Sequence, residues 1–216
     1  MFDRIASRYD LANSAMTLGL DQRWRRLAAQ IAVGRRPGVA ALDSACGTGR
    51  LTVALLAAGA QSVVGVDFSP QMLGIARERY PDIEFVLGDV GRLGFDSSSF
   101  DAVTIGFGLR NLPDPIAALH EMVRVLRPGG RLVVLEAVRA QGIGRPAAAL
   151  ASTLVPRIVG RLVGNPAAYR YLSDTVRTYA SASDVAGWLR DTALADVRAR
   201  RLGAGTTALI WGSRIT

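Results

Sequence analysis

The stretch Val39-Ala40-Ala41-Leu42-Asp43-Ser44-Ala45-Cys46-Gly47-Thr48-Gly49 decides the fold. An apolar run stops at an acid, crosses a loop of small residues with two glycines, and passes into a helical pattern at Leu51. That is a buried strand, a tight turn and a helix start. Glycine lets backbone N–H groups come close to a ligand, because no side chain stands in the way. A second apolar run, Val63-Val64-Gly65-Val66, ends at Asp67. An acid about 20 residues beyond such a loop is placed to bind the two hydroxyls of a ribose. A third run, Ile83-Glu84-Phe85-Val86-Leu87-Gly88, ends at Asp89, where a carboxylate can accept from the amino group of a purine. Together these point to a nucleoside-bearing ligand. The plainer reading is that the acids are helix N-caps, a frequent use of Asp.

Two ligand classes compete for the loop. A dinucleotide needs a third glycine three residues after the second, for close helix–strand packing. Here Gly49 is followed by Arg50, Leu51 and Thr52. A pyrophosphate would also be repelled by Asp43 at the floor of the loop. S-adenosylmethionine suits the residues better. It carries no phosphate, and the ammonium of its methionine arm is attracted by Asp43, directly or through water.

Working outward, 216 residues of which half are hydrophobic make one domain with a sizeable core. No apolar run is long enough to span a bilayer, and the N-terminus lacks a signal-peptide pattern, so a cytoplasmic protein is expected. The single cysteine, Cys46, excludes an intrachain disulfide and suits a reducing compartment. It reads as a small residue in a tight loop. A lone His and a lone Cys argue against zinc, and no metal is expected. The net charge is +8, and all 26 basic residues are arginine. That excess favours anionic surfaces. Nucleic acid has little support, since no basic run is interleaved with aromatics. A membrane rich in anionic lipid fits the charge equally well.

Strands are expected near 39–43, 62–67, 83–88, 100–106 and 130–136, with helices at 50–58, 70–80 and 115–127. The alternation implies an α/β fold with a doubly wound, Rossmann-like parallel sheet. Arg127-Pro128-Gly129-Gly130 reads as a helix stop and turn. A helix at 184–191 and two further strands near 196–202 and 206–212 would add a closing antiparallel hairpin, making the sheet seven-stranded. The expected organisation is a single domain over 1–216. It comprises an N-terminal helical lid (1–36), a cofactor-binding core (37–139), a helical substrate-side insertion (140–180) and the closing helix and hairpin (181–216). Ligands of such sheets sit at the carboxyl ends of the strands, near the switch point.

The fourth strand runs into Gly106-Phe107-Gly108-Leu109-Arg110-Asn111-Leu112. This segment resembles the hallmark of the ubiquinone/menaquinone biosynthesis C-methyltransferases, a family of class I S-adenosylmethionine-dependent enzymes. The likeness covers nearly the whole chain. Phe2-Asp3-Arg4-Ile5-Ala6-Ser7-Arg8-Tyr9-Asp10 and Leu18-Gly19-Leu20-Asp21-Gln22-Arg23-Trp24-Arg25-Arg26 resemble the family's N-terminal motifs. Ser99-Phe100-Asp101, Leu126-Arg127-Pro128-Gly129-Gly130 and Tyr169-Arg170-Tyr171-Leu172 also match. The Phe-Asp and Arg-Pro-Gly-Gly pieces recur across class I methyltransferases. The Gly-Leu-Arg-Asn and Tyr-Arg-Tyr-Leu pieces are more selective. Three features depart from the family pattern. Arg50 stands where an acid is usual, Cys46 and Gly106 are unusual in their slots, and Ala147-Ala148-Ala149-Leu150 is poor in aromatics.

The resemblance implies cofactor contacts at Thr48, Asp67, Asp89, Val90 and Gly106, with Gly47 and Gly49 shaping the loop and Met72 near the adenine. It implies methylation of a ring carbon of a polyprenylated hydroquinol, demethylmenaquinol first, yielding S-adenosylhomocysteine as co-product. A ubiquinone precursor, a soluble phenol and a non-catalytic cofactor-binding module are the alternatives. Arg110 is a poor literal base, because it does not lose its proton. It is expected to stabilise the developing phenolate or to hold a water that takes the proton. Asn111 would orient that water or the second hydroxyl, or else be a turn residue before Pro113. Tyr9 and Asp10 are further catalytic candidates from the lid, with packing and capping as their plainer roles. Tyr169, Arg170 and Tyr171 would line the quinol pocket, or form an aromatic cluster. His120 reads as a surface or packed histidine. The apolar residues of 150–163, with Arg157 and Arg161 on one helix face, would lead the prenyl tail and meet the inner membrane surface peripherally, or make an ordinary core or dimer-contact helix. A homodimer is a further expectation.

Overall fold

The computed structural model describes residues 14, 17, 19–140, 176 and 178–215. Seven strands form one sheet in the order β3-β2-β1-β4-β5-β7-β6. They are β1 (Ala40–Ser44), β2 (Ser62–Asp67), β3 (Glu84–Leu87), β4 (Phe100–Gly106), β5 (Leu126–Ala137), β6 (Leu194–Leu202) and β7 (Thr207–Arg214). Strands β1 to β5 pair in parallel, and β7 is antiparallel to both β5 and β6. The order reverses between β1 and β4, and a ligand cleft opens at such a reversal.

Alternation along the strands divides the core into two layers. Leu42, Val103, Ile105, Val134 and Ile210 point to one face, where α4 (Pro115–Val125) and α5 (Ala182–Arg190) cover them. Ala41, Ala102, Val133, Leu135 and Leu209 point to the other, under α1 (Leu20–Val33) and α2 (Arg50–Ala57). The small alanines of that face let α1 lie close to the sheet, and Ala28, Ala29 and Ala32 are fully buried there. The remaining helix, α3 (Pro70–Arg79), packs Leu73 and Ala76 on Phe85 of β3.

The helices start where the chain supplies caps. The Ser69 hydroxyl accepts from the Met72 N–H ahead of Pro70, and Asp114 accepts from the N–H groups of Ile116 and Ala117 ahead of Pro115. Ser181 and Asp184 form a reciprocal capping box, so α5 begins two residues earlier than expected from its apolar pattern. A second correction concerns Arg127–Gly130. These residues are not a free turn after the helix, because α4 ends at Val125. They bulge out of β5: Phe100 pairs with Leu126, but Ala102 pairs with Arg131. Gly129, at φ +75°, permits the bulge.

The segment expected to act as a lid is more than a cover. Its helix α1 packs along α2, β4 and β5, and buries Trp24 and Val33 in the core. Residues 1–13 and 141–175 lie outside the described part. With them lie Tyr9, Asp10, Tyr169, Arg170, Tyr171, Arg157 and Arg161.

Candidate active site

The C-terminal ends of β1, β2 and β4 lie side by side, and the loops that follow them enclose a cleft. Gly47 and Thr48 form one wall. Gly47 sits at φ +56°, and among the described residues nothing lies within 4 Å of where a Cβ would be. Gly49, at φ +81°, does not reach the cleft. A Cβ there would fall 2.9 Å from Phe85 Cζ, so its role is to let α2 start close to β3.

Asp67 lies at the end of β2 and lines the cleft. Its Oδ2 accepts from the Gly47 N–H at 2.8 Å and its Oδ1 from the Ser69 N–H at 2.9 Å. The carboxylate thereby ties the glycine loop to the start of α3. The carboxylate lines the cleft, where it can accept from a hydroxyl donor. Met72 and the exposed ring of Phe68 stand beside it.

Asp43 lies beneath the cleft rather than on its wall, because β1 continues to Ser44 and turns the Asp43 side chain toward α2. Its Oδ2 accepts from Thr52 Oγ1 at 2.7 Å and its Oδ1 from Thr104 Oγ1 at 2.9 Å. Burial pushes its carboxyl up to about 6, against the opposing pull of those two hydroxyls and of Arg25. Asp43 is therefore not among the residues that line the cleft. Asp89 is exposed and accepts from the Gly91 N–H at 2.8 Å. Val90 is buried in the core beside Leu93. Neither lines the cleft as it stands.

At the end of β4, Gly106 and Phe107 complete the wall. Phe107 has φ +60°, and Ala45 at the end of β1 has φ +52°. Left-handed backbone at two non-glycine residues is uncommon, and both flank the cleft, where strain tends to collect. The 3₁₀ turn Leu109–Asn111 follows. Asn111 lines the cleft, and its Nδ2 donates to the Phe107 carbonyl at 3.3 Å. Among the described residues its Oδ1 is buried without a hydrogen-bond partner.

Arg110 points away from the cleft, with a side chain only 4% exposed. Its Nη1 pairs with Glu136 Oε1 and donates to the Phe107 carbonyl at 3.0 Å. The Arg110 N–H also donates to Glu136 Oε2 at 3.2 Å. Glu136 is fully buried. The pair clamps the turn from behind, and removing either partner would strand a buried charge. Burial and the nearby Glu136 push the Tyr179 phenol up, against the pull of Arg110. His120 is exposed on α4.

Sequence reasoning missed Glu136, Arg25, Phe68 and Phe107. Glu136 carried a usable signal, because it ends the apolar run Leu132-Val133-Val134-Leu135 just as Asp67 ends its own. Arg25 carried none: it is one of three arginines in Arg23-Trp24-Arg25-Arg26, and only helix orientation turns it inward.

Comparison with known proteins agrees with this geometry. The model of the ubiE/COQ5 methyltransferase family matches residues 1–214. The demethylmenaquinone methyltransferase of Renibacterium salmoninarum is 42% identical, over 97% of this chain and 88% of its own. That of Mycobacterium sp. (strain KMS) is 43% identical, over 97% and 90%. Among solved structures, an S-adenosylmethionine-dependent methyltransferase of Thermotoga maritima superposes with a TM-score of 0.68 at 21% identity, covering 99% of this chain and 98% of that one. One from Methanococcus maripaludis gives 0.68 at 19%, covering 99% and 94%. At such identities these two speak for the fold. The chain belongs to the ubiE/COQ5 methyltransferase family, and its methyl donor is S-adenosylmethionine.

Proposed function

We propose that the protein methylates a ring carbon of a polyprenylated hydroquinol, with demethylmenaquinol as the acceptor. The family supplies the reaction class, and the relatives named demethylmenaquinone methyltransferase point to the acceptor. The observation that carries the reading is Asn111, an amide held on the cleft wall by a turn that the Arg110–Glu136 pair locks, with a buried Oδ1 that is unpartnered among the described residues.

The cleft fits the cofactor. Gly47 presents its backbone to the cleft, the Asp67 carboxylate can accept from ribose hydroxyls, and Phe68 and Met72 offer apolar surface to adenine. Thr48 and Gly106 complete that set on the wall. Asp89 and Val90 would join through movement of the loop after β3, and Asp43 would act through its threonines. Bound there, the cofactor supplies an electrophilic methyl on a sulfonium and leaves as a neutral thioether.

Attack by the ring carbon forms the new C–C bond while the S–CH₃ bond breaks and a phenolic proton leaves; the methylated carbon then gives up its own hydrogen as the phenolic O–H re-forms, so one proton is released overall. Asn111 Oδ1 accepts from a ring hydroxyl and fixes the ring, so that the reacting atoms stand about 3–3.5 Å apart. Arg110, paired with Glu136 behind the cleft wall, acts through the turn it braces and holds Asn111 in place. Tyr9 and Asp10 are proposed to reach the ring from the N-terminal segment, with Asp10 as proton acceptor. Tyr169, Arg170 and Tyr171 are proposed to enclose the quinol.

The test is incubation with S-adenosylmethionine and anaerobically reduced demethylmenaquinone, with mass spectrometry for a product one methyl heavier. Arg110→Ala, Arg110→Lys and Asn111→Ala should each lose about a hundredfold in turnover or more, while still binding S-adenosylhomocysteine. Cofactor binding without product in the wild type would exclude this acceptor. Near-normal turnover in Arg110→Ala would remove the brace from the mechanism.

A further inference from the structure

The cleft wall beyond β4 turns at an unexpected residue. Phe107 has φ +60°, while Gly108 after it has φ −108°. Gly106 before it also lies outside the left-handed region. Glycine takes left-handed backbone at no steric cost, yet here two glycines flank the left-handed residue and neither occupies that position. For a bulky side chain such backbone is an outlier, and it persists only where the surroundings over-determine it.

Phe107 is held at both its N–H and its ring. The N–H donates to the Leu135 carbonyl at 2.7 Å, which continues the pairing of β4 with β5. The ring is buried in the layer under α1, and the Arg25 guanidinium lies 5.1 Å from its centre. The flanking glycines answer a shortage of space. A Cβ on Gly106 would fall 2.9 Å from Leu51 Cδ2, and one on Gly108 would fall 2.7 Å from Ala45 Cβ. Glycine serves close approach at both positions, and the turn itself falls to Phe107.

The turn aims one carbonyl. The Phe107 oxygen accepts from Arg110 Nη1 at 3.0 Å and from Asn111 Nδ2 at 3.3 Å. A carbonyl oxygen has two lone pairs, so each donor meets one. The contact also settles the sense of the Asn111 amide. Its NH₂ end faces the carbonyl, because an oxygen in that place would be set against another oxygen. The Oδ1 end is thereby turned elsewhere, and it is the end that is buried without a partner among the described residues.

We infer that Phe107 is a positioning residue for the methyl transfer: its left-handed backbone aims a carbonyl that holds both Arg110 and Asn111, and so fixes which end of the Asn111 amide is left for the acceptor. The inference rests on the role of Asn111 proposed above. An amide that offers its oxygen takes a donor, so a ring hydroxyl is favoured there over a ring carbonyl. Were the turn only a consequence of burying the ring, the aim of the carbonyl would have no bearing on turnover.

Leucine and isoleucine at position 107 separate the two. Both remove the ring and are equal in size, but isoleucine branches at Cβ and resists a positive φ. Phe107→Ile should have a kcat about tenfold or more below that of Phe107→Leu, while the two bind S-adenosylhomocysteine within about twofold of each other. Hydrogen exchange at the Asn111 side-chain amide gives a second reading that needs no acceptor. Its proton resonances, identified by their loss in Asn111→Ala, should exchange about tenfold or more faster in Phe107→Ile than in Phe107→Leu. Equal kcat or equal exchange in the two variants would overturn the inference. Where Phe107→Ile does not fold, Asn111→Asp decides. Its carboxylate keeps an oxygen for the acceptor but has no N–H for the Phe107 carbonyl, so its kcat should fall as far as that of Asn111→Ala. Turnover near that of the wild type in Asn111→Asp would overturn the inference. No product from the wild type, with the exchange difference present, would instead overturn the acceptor reading and leave the hold of Phe107 on Asn111 standing.

Discussion

Asp43 shows how much a single residue can conceal. Its position at the end of an apolar run suggests a ligand contact, yet its oxygens face Thr52 and Thr104 inside the protein. Burial raises its carboxyl from 3.8 to about 6. An acid whose folded pKa is raised binds its proton more tightly in the native state than when unfolded. Its contribution is therefore fully present below about pH 4 and is lost as pH rises to about 6, at roughly 1.4 kcal/mol for each pH unit between those values. Asp43→Asn cannot titrate, and its amide can still exchange hydrogen bonds with the two threonine hydroxyls. Thermal unfolding of both proteins from pH 4 to 7 should show the wild type losing stability relative to the variant by on the order of 2–3 kcal/mol. A difference that is flat with pH would mean that Asp43 stays ionised throughout.

At the scale of elements, the cleft depends on how closely β2 and β3 pack beneath α3. Gly65 of β2 is in register with Phe85 of β3. A Cβ on Gly65 would fall 2.6 Å from Phe85 Cδ1 and 3.0 Å from Cys46 Sγ. Both neighbours are buried, so Gly65→Ala should cost about 1–3 kcal/mol. That would lower the melting temperature by several degrees, since a chain of this size loses about 2–4 °C per kcal/mol. Combining it with Phe85→Leu should recover part of the loss, and strictly additive losses would place the cost elsewhere. The seven strands and their order of appearance were legible because each is an apolar run bounded by turn residues or acids. The β5 bulge was not, since Arg127-Pro128-Gly129-Gly130 reads as a turn until β4 is beside it to set the register. The site was legible where a motif fixes the backbone, at Gly47, Thr48, Asp67, Gly106 and Asn111, all of which line the cleft. It was illegible where orientation decides. Nothing in the order of residues says that Arg110 turns back to Glu136, or that Arg25 turns in.

At the scale of the whole molecule, charge and acceptor must be considered together. A polyprenylated ring resides in a bilayer, and among the described residues no helix is long and apolar enough to cross one. Access would then be from the surface, with a formal charge of +8 to hold the protein there. Arg198, Arg200 and Arg201 are exposed on β6, the edge strand. Arginines at an edge discourage strand pairing with other molecules, and they also attract anionic headgroups at about 1 kcal/mol each. The two roles separate in solution, because only the second depends on lipid and salt. The protein should float with vesicles containing phosphatidylglycerol and not with pure phosphatidylcholine. Binding should fade as salt shortens the screening length from about 10 Å at 0.1 M to about 3 Å at 1 M. Arg198→Glu with Arg200→Glu should weaken it, since both positions lie on the exposed edge. Flotation that persists in high salt, or that is equal on neutral vesicles, would instead point to apolar insertion, for which the apolar residues of 150–163 are the candidates. No flotation with anionic vesicles even at low salt would mean that the arginine surplus serves the edge strand, and that the quinol reaches the protein by another route.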